Sequence, residues 1–187
     1  MSDTPNPRRS TRKASQPLRL IHAGLGGWGR DWLKVVRAEP GVRTVAWVEP
    51  DERSREAAVQ AGVPEGNLHP TLAAALAAGA ADALLITAPA AAHVPLALEG
   101  LSAGLHVLTE KPFAPSVAEA RQAIEAADRA GRVLMVSQNY RHHPAPRAAR
   151  ALVASGELGR VGVVNVDFRF DLTGRPANPY LTSYQPL

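Results

Sequence analysis

The sequence predicts an α/β fold built on a doubly wound parallel sheet, and three observations carry that prediction. Short runs that are apolar at nearly every position alternate with longer Ala-rich stretches between Leu18 and Val136, the pattern of successive β-α-β units. Glycine follows most of the helical stretches, where a left-handed residue commonly ends a helix. A Gly-rich element joins the first strand to the first helix, which is where this architecture gathers anionic ligands.

The runs Leu18–Ala23, Val42–Val48, Ala83–Thr87, Leu105–Thr109 and Val133–Val136 are the expected strands. A parallel strand covered on both faces has no polar face, so its sequence is continuously apolar. Between them, Trp28–Ala38, Asp51–Ala61, Leu72–Ala78, Val94–Ala103 and Val117–Ala130 have helical length and composition. Ser116 and Glu119 make an S-x-x-E capping box, in which each side chain is expected to satisfy a free amide. Gly62, Gly79, Gly104 and Gly131 are the expected left-handed C-terminal caps.

After Arg141 the texture changes. Pro144 and Pro146 open a short helix that runs to Ser155 and ends near Gly156. From Val164 to Phe170, Val164, Val166, Phe168 and Phe170 alternate with Asn165, Asp167 and Arg169, which predicts a half-buried strand of a second sheet. The remainder, Asp171 to Leu187, is irregular and offers that strand no partner. The expected organisation is a basic disordered tail at 1–17, a dinucleotide-binding domain at 18–141, and the beginning of an incomplete α+β domain at 142–187.

Composition narrows the function. With 45% hydrophobic and 20% charged residues in 187, the chain has the material for a core and is not disordered throughout. The absence of cysteine excludes disulfides, thiolate metal sites and thiol catalysis, and agrees with a cytoplasmic location. The most apolar stretch, Ala80 to Leu98, is interrupted by Asp82, Pro89, His93 and Pro95, so no membrane span is expected. Residues 1–19 hold five of the 21 basic and one of the 17 acidic side chains, so the net charge of +4 sits there and the body is balanced. That distribution argues against a nucleic-acid partner. His142 and His143 are adjacent, share no helical face and have no carboxylate close in sequence, so no metal site is expected.

The chemistry concentrates at strand ends. Gly24-Leu25-Gly26-Gly27-Trp28-Gly29 is a G-x-G-x-x-G placed between strand and helix. In it Gly24 permits a tight turn, Gly26 lets backbone approach a pyrophosphate, and Gly29 allows helix to pack on strand. Glu49 ends the second strand 20 residues after Gly29, where a carboxylate accepts the hydroxyls of an adenosine ribose and repels a 2′-phosphate. NAD is therefore favoured, although Arg53 and Arg55 nearby leave NADP open. Thr87, Pro89 and His93 follow one strand, and Glu110 and Lys111 follow the next, at the edge where open α/β sheets bind ligands. By position alone, His93 could merely cap the helix that follows it.

With Gly24 to Gly29, Glu49, Thr87-Ala88-Pro89 with His93, Glu110-Lys111-Pro112, and Gln138-Asn139-Tyr140-Arg141 followed by Pro144, the chain resembles the glucose-fructose oxidoreductase, inositol dehydrogenase and rhizopine-catabolism (Gfo/Idh/MocA) family over residues 18–170. The resemblance implies a Rossmann fold and hydride transfer between nicotinamide and a hydroxyl carbon of a sugar, polyol or related molecule. It makes Lys111 the catalytic residue, assisting proton transfer at the substrate hydroxyl. It assigns Gly24, Gly26, Gly27, Trp28, Gly29, Glu49, Thr87, Pro89, His93, Glu110, Lys111 and Arg141 to the cofactor.

Similar dehydrogenases continue into an open antiparallel sheet that supplies the substrate pocket and commonly an oligomer interface. They often carry an Asp and a His four residues apart as acid-base partners of the lysine, and nothing after Arg141 matches that pair. The expectation is a truncated member, weakly active or inactive alone, or else a non-catalytic NAD-binding module. In either case a second copy or a completing chain would cover the lone strand. Methyltransferases also carry a Gly-rich loop after the first strand, but the Glu-Lys-Pro element argues against that class.

Overall fold

The computed structural model describes residues 16–167 and 169. The basic segment expected to be disordered lies, but for its last two residues, outside the described part, as do Phe168 and Phe170 onward. The chain divides into two compact units between Asn139 and Tyr140.

In the first unit, strands β1 (Leu18–Ala23), β2 (Val42–Val48), β3 (Leu68–His69), β4 (Ala83–Ile86), β5 (His106–Thr109) and β6 (Leu134–Val136) form one sheet in the order β3-β2-β1-β4-β5-β6. Every pairing is parallel. The order reverses between β1 and β4, and that switch opens a crevice at the carboxyl ends of the strands. Five of the strands correspond to the expected runs. β3 was not anticipated, because a two-residue edge strand leaves no periodic signal.

The helices are α1 (Gly27–Arg37), α2 (Glu52–Gln60), α3 (Leu72–Ala78), α4 (His93–Ser102) and α5 (Val117–Ala130). One sheet face, with Ile21, Ala46, Leu84, Ile86 and Val107, packs on Leu72 and Ala75 of α3, Ala97 and Leu101 of α4, and Ala127 of α5. The other face packs Leu20 and Leu85 against Val36 of α1, and Trp47 against Leu33 of α1 and Ala58 of α2. Both faces of the central strands are thereby buried, at roughly 1.5–3 kcal/mol for each large aliphatic side chain removed from water. That double burial is the reason the runs carry so few polar residues.

Local signals behave mostly as chemistry dictates. Gly62, Gly104 and Gly131 adopt positive φ just past their helices, whereas Gly79, with φ 171°, is extended rather than a left-handed cap. The Ser116 hydroxyl accepts from the Glu119 amide at 3.2 Å and donates to the Glu119 carboxylate at 2.7 Å. The pair thus closes on itself instead of trading two amides.

The second unit contains α6 (Pro144–Ser155), which opens on proline and ends at Gly156 with φ 79°. The expected strand from Val164 is not formed where it is described. Residues 161–167 are irregular, and Val164 and Val166 are 73% and 82% exposed. A ladder needs a neighbour, and among the described residues no strand pairs with this segment.

Candidate dinucleotide-binding site

The site begins with the turn after β1. Gly24 has φ +92°, and a Cβ on it would stand 2.3 Å from the Ala88 nitrogen, so only glycine fits the turn. Its N–H donates to the Val48 carbonyl at 2.8 Å, and its carbonyl accepts from the Thr87 hydroxyl. The Leu25 side chain is buried among Leu33, Trp47, Ala58 and Val63, and its N–H donates to Oε2 of Glu49 at 2.7 Å. The loop is therefore strapped to the ends of both β2 and β4.

Above these straps the surface is open. A Cβ added to Gly26 or Gly27 meets nothing within 4 Å. Gly26 is the N-cap of α1 and offers no side-chain bond, so the first amides of the helix are left for an anion. Gly29 is the opposite case, because a Cβ there would lie 2.0 Å from the Gly24 carbonyl oxygen. An open backbone cradle at a helix N-terminus, closed below by contacts that only glycine permits, fits a pyrophosphate.

Glu49 is buried, and its second oxygen accepts from the Asp51 amide at 3.1 Å. Each carboxylate oxygen keeps a further lone pair for a ribose hydroxyl. Arg55 does not stand ready for a 2′-phosphate, since its Nη1 donates to the carbonyls of Glu49 and Pro50 at 3.0 and 2.7 Å. Arg53 is exposed.

Beneath the loop lies a side chain that the sequence reading passed over. His22 is completely buried, and its Nε2 is 2.8 Å from the Thr87 hydroxyl oxygen. That hydroxyl has one proton and gives it to the Gly24 carbonyl, so Nε2 carries the hydrogen and donates. Nδ1 is buried with no partner among the described residues, and burial pushes the imidazole down to about 4. A histidine interrupting an apolar strand just before the Gly-rich turn was the available signal.

On the other side of the crevice, the Glu110 carboxylate is buried. Its Oε1 accepts from the Trp32 indole at 2.9 Å, and its Oε2 from the Lys111 amide at 3.1 Å. Glu110 thus anchors the end of β5 to α1. Replacing Trp32 with Phe removes a donor from a buried carboxylate and is expected to cost about 1.5 kcal/mol in urea unfolding; an unchanged midpoint would show that the indole bond contributes nothing.

Lys111 is exposed, joins Pro112 through a cis peptide, and holds its Nζ 5.8 Å from the centroid of the Trp28 ring. Pro89 is exposed at the head of the turn leading to α4. His93 is buried at the start of α4 but does not cap it, since the N-cap is Ala92 with no side-chain bond. Its Nδ1 meets the Pro112 carbonyl at 2.7 Å and its Nε2 the Ala88 carbonyl at 2.8 Å. Both partners are carbonyl oxygens, which only accept, so a ring with one N–H donates to one of them and sits between the turn after β4 and the turn after β5. Arg141 falls on the turn Asn139–His142, in the second unit.

The family described as "Oxidoreductase family, NAD-binding Rossmann fold" matches residues 18–138. The chain belongs to the Gfo/Idh/MocA family. Among its relatives, D-apiose dehydrogenase of Paraburkholderia graminis is 34% identical over 158 residues, which are 84% of this chain and 42% of that protein. Inositol 2-dehydrogenase of Streptomyces avermitilis is 36% identical over 148 residues, 78% of this chain and 43% of that one. The solved structure of the WlbA dehydrogenase from Bordetella pertussis, in complex with NADH and UDP-GlcNAcA, superposes with a TM-score of 0.74 at 25% identity, covering 80% of this chain and 43% of its own. This Gfo/Idh/MocA chain therefore spans about two fifths of the length of the relatives it matches. The matched region is the family's NAD-binding Rossmann fold. No helix among the described residues is long and apolar enough to cross a membrane.

Proposed function

We propose that this chain is the cofactor-binding half of a dehydrogenase that oxidises a hydroxyl carbon of a sugar, polyol or similar small molecule. NAD, when bound, accepts the hydride from that carbon. The open cradle at Gly26 and Gly27 holds the pyrophosphate through the first amides of α1. Glu49, fixed by the Leu25 and Asp51 amides, takes the adenosine ribose and disfavours a 2′-phosphate. Lys111 receives the proton of the substrate hydroxyl in its neutral form, which makes the hydride easier to remove. Glu110 and His93 fix the backbone on either side of that lysine.

The observation that carries this reading is the position of an exposed lysine at the end of β5, next to the Gly-rich loop. A second reading is a non-catalytic NAD-binding module completed by another copy or a partner chain. Calorimetric titration with NAD, followed by turnover assays on polyols, separates them. Wild type is expected to bind, and Gly26→Asp, which sets bulk and negative charge at the pyrophosphate, to bind at least about tenfold more weakly, or ~1.4 kcal/mol. Equal binding by the two would remove the pyrophosphate assignment. Binding by wild type without turnover would favour the module.

A further inference from the structure

The contact between Lys111 and Trp28 belongs to neither the cradle nor the proton transfer. Trp28 is the second residue of α1 and is 51% exposed, with the Lys111 ammonium 5.8 Å from its ring centroid. The two sides of the Gly-rich loop are chemically marked. Glu49 at the end of β2 is bonded to Leu25 and marks the ribose side of the adenosine, whereas Lys111 at the end of β5 marks the opposite side. The indole therefore lies on the half of the crevice that receives the nicotinamide.

The oxidised nicotinamide ring is a cation and the reduced ring is neutral. An indole face attracts cations through its quadrupole, and the face that Lys111 occupies cannot hold a second cation at the same time. We propose that Trp28 reads the oxidation state of the cofactor by exchanging the Lys111 ammonium for the cationic nicotinamide ring, so that NAD⁺, and not NADH, competes with the lysine for the indole. The exchange releases the Lys111 side chain from the indole when the oxidised cofactor arrives. It rests on the reading of Lys111 as the substrate-side residue of a nicotinamide crevice.

The test is a double-mutant cycle read by calorimetry on the full chain, with NAD⁺ and NADH titrated separately into wild type, Trp28→Leu, Lys111→Met and the double variant. In wild type the ring trades one cation for another, so Trp28→Leu alone moves NAD⁺ affinity little. With Lys111 replaced by Met the indole is vacant in the free protein, and removing it is expected to weaken NAD⁺ about fivefold. NADH is expected to change by less than about twofold in either background, within the additivity of independent sites. Repulsion between Lys111 and the positive ring is present in both Trp28 backgrounds and cancels in the cycle.

An equal effect of Trp28→Leu on NAD⁺ in the two backgrounds overturns the exchange, as does the same coupling for NADH. Should wild type bind neither form, the cofactor reading falls with it. Binding of both forms with an additive cycle removes the exchange alone. Trp28→Phe keeps a weaker aromatic face and is expected to give an intermediate coupling, so the proposal stays testable if the leucine variant fails to fold.

Discussion

Gly29→Ala is expected to lower the melting temperature by about 10 °C and to remove NAD binding, whereas Gly26→Ala leaves the melting temperature within about 2 °C and weakens binding only. The asymmetry follows from what a single methyl group would meet. At Gly29 it would stand 2.0 Å from the Gly24 carbonyl oxygen and 3.0 Å from the Thr87 hydroxyl. A backbone carbonyl cannot swing aside as a side chain can, and this one is held by the Thr87 hydroxyl. The first turn of α1 must then lift away from β1, at a cost of about 3 kcal/mol, the upper end of overpacking penalties. At Gly26 the methyl enters open space, where its only consequence is to occupy the ligand's approach. Circular-dichroism melting together with calorimetric titration reads both quantities. A Gly29→Ala protein that melts with wild type would mean the turn is looser than its contacts indicate.

Acid destabilisation centred on His22 is the second large expected effect. The imidazole ordinarily titrates near 6.5 and is held down to about 4 in the fold by burial. Its folded value is depressed, so between those limits the unfolded chain binds a proton that the folded chain does not. Stability from this residue is therefore complete above pH 6.5 and is lost progressively as the pH falls to 4, by about 3 kcal/mol in total. His22→Gln keeps an N–H for Thr87 and has no proton to take up. Urea unfolding at a series of pH values between 7.5 and 4.5 should show the two proteins diverging as the solution becomes more acid. His106, whose imidazole is also lowered, chiefly by burial, and Asp51, whose carboxyl is lowered by the Ser54 hydroxyl and then by the Ser54 amide, are present in both and drop out of the difference. Parallel curves would show that the buried imidazole is not what the acid attacks.

Much of the fold was legible because it is written in local pattern. A strand covered on both faces favours apolar residues at nearly every position, and the β1, β2, β4, β5 and β6 runs follow that pattern, with Arg19, His22, Arg43 and His106 among the exceptions. A helix that ends at a reversal favours glycine, and Gly62, Gly104 and Gly131 follow that rule. What escaped were bonds between positions far apart in the chain. Trp32 reaches Glu110 across 78 residues, and His22 reaches Thr87 across 65. No spacing rule connects such pairs, since they meet only because β1, β4 and β5 are neighbours in the sheet. The roles of His93 illustrate the same limit. Its type and place were visible, yet its partners are two main-chain carbonyls, which have no side-chain signature. The segment from Val164 shows the converse, in which a period of two records how side chains would alternate but cannot supply the strand against which to pair.

The straps on the Gly-rich loop bear on the kinetics of recognition. Gly24 and Leu25 are held by Val48, Thr87 and Glu49 without help from a ligand. The entropy of ordering that backbone is consequently spent when the chain folds and not when the dinucleotide arrives. Encounter then requires desolvation of a ready surface, with no waiting for a rare loop conformation, so the association rate should rise linearly with cofactor concentration and show no plateau from a preceding isomerisation.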